Sequence, residues 1–508
     1  MLISSRLRRR SRGHLPPGPR GRPVIGNLLD FTLKEPWLRV TSWAETFGDV
    51  VFLCSFGQGI VFLNTVDVAS DLLDKRGAIY SDKPRMVMCG ELCRCEKITA
   101  FARYGDNFRR QRRMLHYALG PSSMQEYEPL IMNETCAFLQ RLLNSEAANW
   151  AYQTHVRRYI GGLILSIVYG YRVTADDDPH LERVEGTLDI LSNHLASAGT
   201  AFWLVDFVPS LRHLPAWFPG TGFQRKAEKW RAYIEETVTL PFEWVKENMR
   251  SGASRPCFCT MLWDQEFVSK GFVTAEKEDE IQWTASTLYL GSIDTTLTLL
   301  CQFLLAMVLY PDIAKRAQEE IDSVVGRDRL PTLDDRPALP YLDALLTECM
   351  RWGAPVPLGL PHRLMEDDTY DGMHIPRGTL AMPNIWKMSR DPALFRDPDT
   401  FAPERYLEDA DEATAQKRDP RSYIFGFGRR RCPGALLAES TLWVAVACML
   451  ATLDFHKATD AASGKPVEPK PEYCNASFRL PTHFPCDIKP RSERVAELIR
   501  EAAATAAD

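Results

Sequence analysis

The sequence predicts a mainly α fold with small β sheets, and three observations predict it. Residues 223–249 and 276–310 run far longer than a strand, both amphipathic, with the second mostly apolar from residue 284 onward. Strand-type patterns are short and scattered: residues 50–66 around Gly57 and Gly59, residues 369–383, and the turn-rich stretch 453–490. The chain of 508 residues has no internal repeat, and its 45% apolar and 25% charged content is that of a folded globular protein.

The elements follow in order. Residues 1–12 carry five arginines and no apolar run, so residues 1–14 read as a basic stub with no transmembrane helix. Such a stub can rest on an anionic membrane surface or remain a solvated tail. Leu15-Pro16-Pro17-Gly18-Pro19 opens a rigid, turn-rich lead-in to Asn27. Residues 50–66 read as a hairpin and 72–76 as a short helix, while 84–93 reads as irregular. Helices are expected at 106–118, 126–143, 156–168 and 188–197. Residues 205–222 are rich in proline and aromatics, with Trp203, Phe207, Trp217 and Phe218 crowding that region. The 276–310 helix spans about 50 Å at ~1.5 Å per residue, and Pro311 stops it. Helices at 313–325 and 339–352 flank a turn segment, and 369–383 forms short strands around Pro376. Residues 408–419 read as an exposed charged insert, 435–453 as an apolar helix, and 491–508 as a loose helical tail. Two stretches imitate membrane spans. The one at 284–310 carries Asp294 and the one at 442–453 is too short, so both read as core helices.

A net charge of -5 gives no reason to expect nucleic acid, and the densest internal basic cluster is Arg109, Arg110, Arg112 and Arg113. The 13 cysteines are odd in number and include no Cys-x-x-Cys pair, which fits reduced thiols. Cys432 stands apart. It follows Phe425-Gly426-Phe427-Gly428-Arg429-Arg430-Arg431 and precedes Pro433-Gly434 and an apolar helix. Positive charge and a helix N-terminus are expected to lower its pKa. One cysteine cannot fill a tetrahedral zinc site, but it can be the single protein ligand of a haem iron.

Phe425, Gly428, Arg430, Cys432 and Gly434 match the haem-binding signature of the cytochromes P450 at each expected spacing. With three further segments in order, the chain resembles a fungal, microsomal-type member of that family from Pro16 to near Pro485. The resemblance implies one large triangular-prism helical body with a β-rich lobe, and residues 15–490 as a single catalytic domain where length alone suggests two to four. It makes Cys432 the axial ligand of haem b (iron protoporphyrin IX), its thiolate favouring O–O cleavage. It gives Glu348, Arg351 and Arg405 a structural ion-pair network that positions the loop under the haem. Asp294 and Thr295 become the oxygen-activation pair, the acid feeding protons and the hydroxyl holding dioxygen. Arg112, His362 and Arg430 become propionate contacts, with Phe425 and Gly434 beside the haem and Gly428 and Gly434 letting the backbone pass close to sulfur. Phe108 stands where the family has tryptophan. Ser292 and Ile293 replace the usual small pair in the oxygen-activation segment and are expected to narrow the pocket. Met88, Phe202, Leu290, Ser292, Ile293, Val356, Leu358 and Phe478 fall in segments that line the family's substrate pocket, which implies a lipophilic ligand.

The implied activity is a monooxygenase inserting one atom of O2 into a lipophilic small molecule, by hydroxylation or multistep oxidation. Fungal secondary metabolism and a terpenoid substrate are the expected setting. Electrons would come from NADPH through NADPH-cytochrome P450 reductase, with cytochrome b5 a second donor and Arg429 and Arg431 available for docking. A monomer at the cytosolic face of the endoplasmic reticulum is expected, or a soluble cytoplasmic one if the stub is a genuine start. Two rivals stay open at this point: a peroxide-driven or isomerising haem-thiolate enzyme, and a non-catalytic haem- or lipid-binding protein.

Overall fold

The computed structural model describes residues 13–507, apart from 32–33, 145–147, 176, 196–202, 216, 461, 471 and 474–476. Its longer helices are α1 (Pro36–Phe47), α2 (Asp106–Leu119), α3 (Pro121–Asn144), α4 (Ala148–Tyr169), α5 (Pro179–Asp189), α6 (Gly222–Ser251), α7 (Phe258–Lys270), α8 (Ala275–Leu309), α9 (Pro311–Val324), α10 (Pro340–Gly353), α11 (Ala435–Thr452) and α12 (Glu493–Ala507). Strands are short: β1 (Val50–Ser55), β2 (Gln58–Leu63), β3 (His362–Arg363), β4 (Asp368–Tyr370), β5 (Met373–Ile375), β6 (Leu380–Pro383), β7 (Leu453–Lys457) and β8 (Cys486–Pro490).

The axis of the helical body is α8. Thr274 caps its start by accepting from the Lys277 amide, and Glu276 and Glu278 complement the positive helix end. From Ile281 onward most of its faces are buried, because α4, α7, α10 and α11 pack around it. Pro311 both ends α8 and opens α9, since a proline costs nothing at a first helical position. By length and composition α8 and α11 could cross a membrane, yet most of each apolar window is buried inside the protein.

The β-rich lobe is a four-stranded sheet in the order β1-β2-β6-β3. β1 and β2 pair antiparallel, β2 and β6 parallel, and β6 and β3 antiparallel. Strand alternation sends Val50, Val61 and Leu63 to the main core and Val51, Leu53 and Phe62 to a second core. That second core is completed by Trp37, Val40 and Trp43 of α1, with Leu358 and Met382. Hairpins β4-β5 and β7-β8 complete the strand inventory among the described residues.

Several expectations need correction. Residues 84–93 are not irregular throughout: Val87–Leu92 form a wide π-type turn with Val87, Met88, Cys89 and Gly90 buried. The insert at 408–419 contains a helix, Glu412–Arg418, whose N-cap is Asp411. Helix α7 had no expectation because its apolar residues follow no clean helical period. The tail is docked and not loose. Val495, Ala496, Ile499 and Ala503 share one face of α12 and are buried, with α3 as the neighbour. That i, i+1, i+4, i+8 stripe is an ordinary amphipathic packing face. The basic stub lies outside the described residues through Arg12, as does Phe202.

Candidate active site

The cysteine loop is built by backbone geometry. The Cys432 amide donates to the Phe425 carbonyl at 2.7 Å, closing the loop over Gly426 and Gly428, both at positive φ. A Cβ at Gly428 would lie 2.2 Å from the Leu73 carbonyl oxygen. This glycine therefore serves a close approach to the wide turn at Ser70–Lys75. Gly434 does sit by the thiol, where an added Cβ would be 4.0 Å from Sγ.

The Cys432 side chain is solvent-accessible, yet protein surrounds and desolvates it. The two properties agree if the sulfur opens into an interior space and not onto the outer surface. Desolvation raises the thiol pKa, against lowering contributions from the Gly434 amide, Arg112 and Arg431. The expected lowering is thus corrected for the thiol as it stands: three favourable groups are present but burial outweighs them, and a bound metal would have to displace the proton.

Gly291 marks the corresponding opening on α8. It is exposed in the middle of a helix that is otherwise buried, and an added Cβ would meet nothing within 4 Å. Thr295 lies one turn on, on the same face. Its hydroxyl donates to the Gly291 carbonyl at 3.3 Å, a long bond that leaves the oxygen lone pairs open. Asp294 turns aside and accepts from the Ser192 hydroxyl at 3.4 Å. Burial lifts its pKa above the usual carboxylate range, and the positive charge of Arg157 opposes that shift.

The two substitutions in this segment do not intrude on the opening as expected. Ile293 is 2% exposed and lies about 200° around the helix from Gly291, packed in the core. Ser292 donates back to the Leu288 carbonyl at 2.6 Å, so its hydroxyl is spent on its own helix. Other expected lining residues are dispersed. Leu358 is buried in the second core with α1, and Met88 is fully buried. Leu290 is buried, while Val356 and Phe478 are half-buried.

Beside the cysteine loop lies a group of desolvated cations. Arg430 donates to the Ser81, Thr99 and Ala102 carbonyls at 2.7, 3.2 and 2.8 Å, with its guanidinium carbon 3.6 Å from the Phe108 ring centroid. Burial lowers its pKa to about 10. Arg112 is half-buried, with its pKa lowered by desolvation and raised by Cys432, and it has no hydrogen-bond partner among the described residues. It also lines a groove of about 520 Å³ with Arg109, Arg110, Arg113 and Arg429. Nδ1 of His362 donates to the Tyr80 carbonyl at 2.9 Å, and burial with Lys83 and Arg430 nearby drives the ring neutral.

Lys83 was missed by sequence reasoning. It is 4% exposed, its ammonium donates to the Leu360 and Pro361 carbonyls at 3.4 and 3.0 Å, and burial plus Arg430 pull its pKa to about 7. Its nearest acid, Asp82, is already bonded to Arg103 and Arg363. A lone lysine in a turn gives no periodic signal, and only the fold shows that Lys83, His362 and Arg430 converge.

Glu348 and Arg351 are 0% exposed on α10. Arg351 grips both carboxylate oxygens at 2.7 Å and also donates to the Ser389, Pro398 and Thr400 carbonyls. Arg405 reaches the same carboxylate at 3.2 Å, and the Ala402 amide donates to it at 2.9 Å. One buried anion thus ties α10 to the segment 389–405.

These features fit an iron porphyrin. The Cys432 sulfur is accessible though desolvated, a Cβ built at Gly291 of α8 would meet nothing within 4 Å, and Arg112 and Lys83 are desolvated cations with no carboxylate bonded to them among the described residues, which suits a group carrying two carboxylates. Among the described residues no cluster of His, Cys, Asp and Glu could hold a separate metal ion. The family model for Cytochrome P450 matches residues 16–473. Cytochrome P450 monooxygenase claT of Ampulloclitocybe clavipes is 39% identical over 502 residues, covering 99% of this chain and 96% of the relative. Cytochrome P450 monooxygenase 176 of Postia placenta is 40% identical over 502 residues, covering 98% and 95%. A P450 monooxygenase of Armillaria gallica is 36% identical over 490 residues, covering 96% and 94%. The mainly helical body, the cysteine loop and these full-length matches together place the chain in the fungal cytochrome P450 family of haem-thiolate monooxygenases.

Proposed function

We propose that this P450 oxidises a lipophilic small molecule of fungal secondary metabolism, a terpenoid being the first class to test. It would take electrons from NADPH through NADPH-cytochrome P450 reductase at the cytosolic face of the endoplasmic reticulum. The observation that carries the reading is the accessible yet desolvated Cys432 thiol, beside the desolvated cations Arg112, Lys83 and Arg430. Haem held there would supply dioxygen reduction and C–H oxidation.

The chain's own residues would do the following. Arg112, Lys83 and Arg430 would orient the propionates. Asp294 would hold a proton at its carboxyl oxygen, which its raised pKa favours. Thr295 would offer a hydroxyl above the opening at Gly291. Val356 and Phe478 would contact substrate, and the arginines of the 520 Å³ groove would meet an acidic reductase surface. Turnover with purified reductase and a terpenoid panel tests the activity, and product without NADPH would overturn the electron route. In the Thr295→Ala variant, product formed per NADPH should fall steeply as peroxide rises, since a positioned proton-transfer group contributes about 10²–10⁴-fold. Unchanged coupling would remove Thr295 from the mechanism.

Lys83 gives a pH dependence. Its pKa of about 7 lies below the unfolded value, so between pH 7 and 10 the unfolded chain binds more protons. The haem-free protein should therefore gain stability as pH rises through that window. A carboxylate placed beside Lys83 restores its charge, so haem binding takes up a proton above pH 7 and weakens as pH rises further. Haem dissociation rates across pH 7–10 check this, and Lys83→Met should flatten the slope. An equal slope in both proteins would show that Lys83 faces no propionate.

A further inference from the structure

Arg479 is 5% exposed, and no carboxylate bonds it among the described residues. Its Nη1 donates to the Trp352 and Gly353 carbonyls at 3.0 and 3.3 Å, and Nη2 donates to the Tyr473 hydroxyl. Its amide donates to the Pro355 carbonyl at 3.0 Å, and its own carbonyl accepts from Gln302 Nε2 of α8 at 2.9 Å. The guanidinium carbon lies 3.9 Å from the Tyr473 ring centroid and 4.7 Å from that of Trp386. Burial lowers its pKa to about 10, so this cation is held at a cost: the hydrogen-bond partners of its guanidinium among the described residues are neutral, and the carboxylates of Glu35 and Asp399 act on it only from a distance.

Those partners bracket one strained residue. Ala354 follows α10 at φ 36 and ψ 71, a left-handed conformation unusual for alanine and disfavoured before a proline. Strain of this kind persists only when surrounding structure over-determines it. Arg479 bonds the carbonyls of Trp352 and Gly353 before Ala354 and that of Pro355 after it. Val356 is the next residue along one segment, and Phe478 is the neighbour of Arg479 in the other. Gln302 fixes the same junction to α8, two turns beyond Thr295.

We propose that Arg479 is a positioning residue for substrate selectivity, a clamp that holds the strained Ala354 turn and so sets the distance between Val356 and Phe478 over the pocket. This rests on the monooxygenase reading, in which those two side chains contact substrate. Lysine keeps the charge but has no planar fork to span two carbonyls and a hydroxyl.

The test uses haem-loaded Arg479→Lys and two iron-binding probes, imidazole and 4-phenylimidazole, titrated by the shift of the haem absorption. Imidazole is too small to reach either loop. The dissociation constant for 4-phenylimidazole should change about tenfold, equivalent to ~1.4 kcal/mol of contact with the two loops, while that for imidazole changes less than about twofold. Gln302→Met removes the tether to the Arg479 carbonyl and the Gln302 contact with the Tyr473 hydroxyl, and should move the ratio of the two constants the same way. It also serves if Arg479→Lys fails to fold. An unmoved ratio in the folded variants, or equal shifts for both probes, overturns the clamp. A wild-type protein that binds neither probe overturns the haem reading instead.

Discussion

The Cys432→Ser variant is expected to lose the absorption band at about 450 nm of the reduced CO complex, together with NADPH-dependent turnover. The loss follows from donor chemistry. A serine hydroxyl is far harder to deprotonate than a thiol and presents a hard oxygen to iron, without the electron donation of sulfur. The environment gives it no compensating help: even the thiol is pushed up by burial, and Gly434, Arg112 and Arg431 only partly offset that. The loop itself should survive, because it is closed by the Cys432 amide and the Phe425 carbonyl, neither of which the substitution touches. Stability of the haem-free chain should therefore change by no more than about 0.5 kcal/mol. The CO difference spectrum and a thermal melt decide the matter together. A variant that keeps the band refutes Cys432 as ligand, and one that loses both band and fold shows a structural cysteine.

The fold and the site were legible in the sequence to different degrees. Long helices such as α8 and α6 announce themselves because a buried or half-buried helix needs many apolar residues in one register, and caps such as Thr274 and Pro311 mark the ends. The Cys432 loop and the Glu348–Arg351 pair were legible for another reason: each depends on side chains close together along the chain. Arg405 was legible only through the resemblance, since 57 residues separate it from Glu348. Lys83 and Arg479 were not legible at all. Each is a single cation in a turn, and what distinguishes it is burial against main-chain carbonyls supplied by distant segments. Ile293 and Leu358 were assigned to the pocket by position along the chain. Helix rotation turned the first away, and sheet packing drew the second into the α1 core. Direction of a side chain is a property of the assembled element, and no spacing rule recovers it where the segment is irregular.

The largest loss of stability should come from Glu348→Gln. Among the described residues Glu348 is the one anion bonded to Arg351 and Arg405 in this buried site, and it also accepts from the Ala402 amide. Glutamine has nearly the same shape, but it carries no charge and turns one amide N–H2 toward donors. Two buried guanidinium groups then share one neutral amide oxygen beside their main-chain carbonyl partners, at Ser389, Pro398 and Thr400 for Arg351 and at Arg396 and Thr400 for Arg405. Breaking a buried pair in this way costs about 3–5 kcal/mol, a large share of the roughly 5–15 kcal/mol that holds a domain together. The expected outcome is poor soluble yield and a melting temperature well below that of the wild type, measured on both proteins with haem bound. Removing all three charges at once separates stability from positioning. Glu348→Leu combined with Arg351→Met and Arg405→Met leaves an apolar cluster of similar volume and no buried cation without its anion, and it should melt closer to wild type than the single variant. It cannot hold the carbonyls of the 389–400 segment, so its haem dissociation should still be faster. If the triple variant melts as low as Glu348→Gln, the uncompensated charge is not the cause, and the network acts through packing alone.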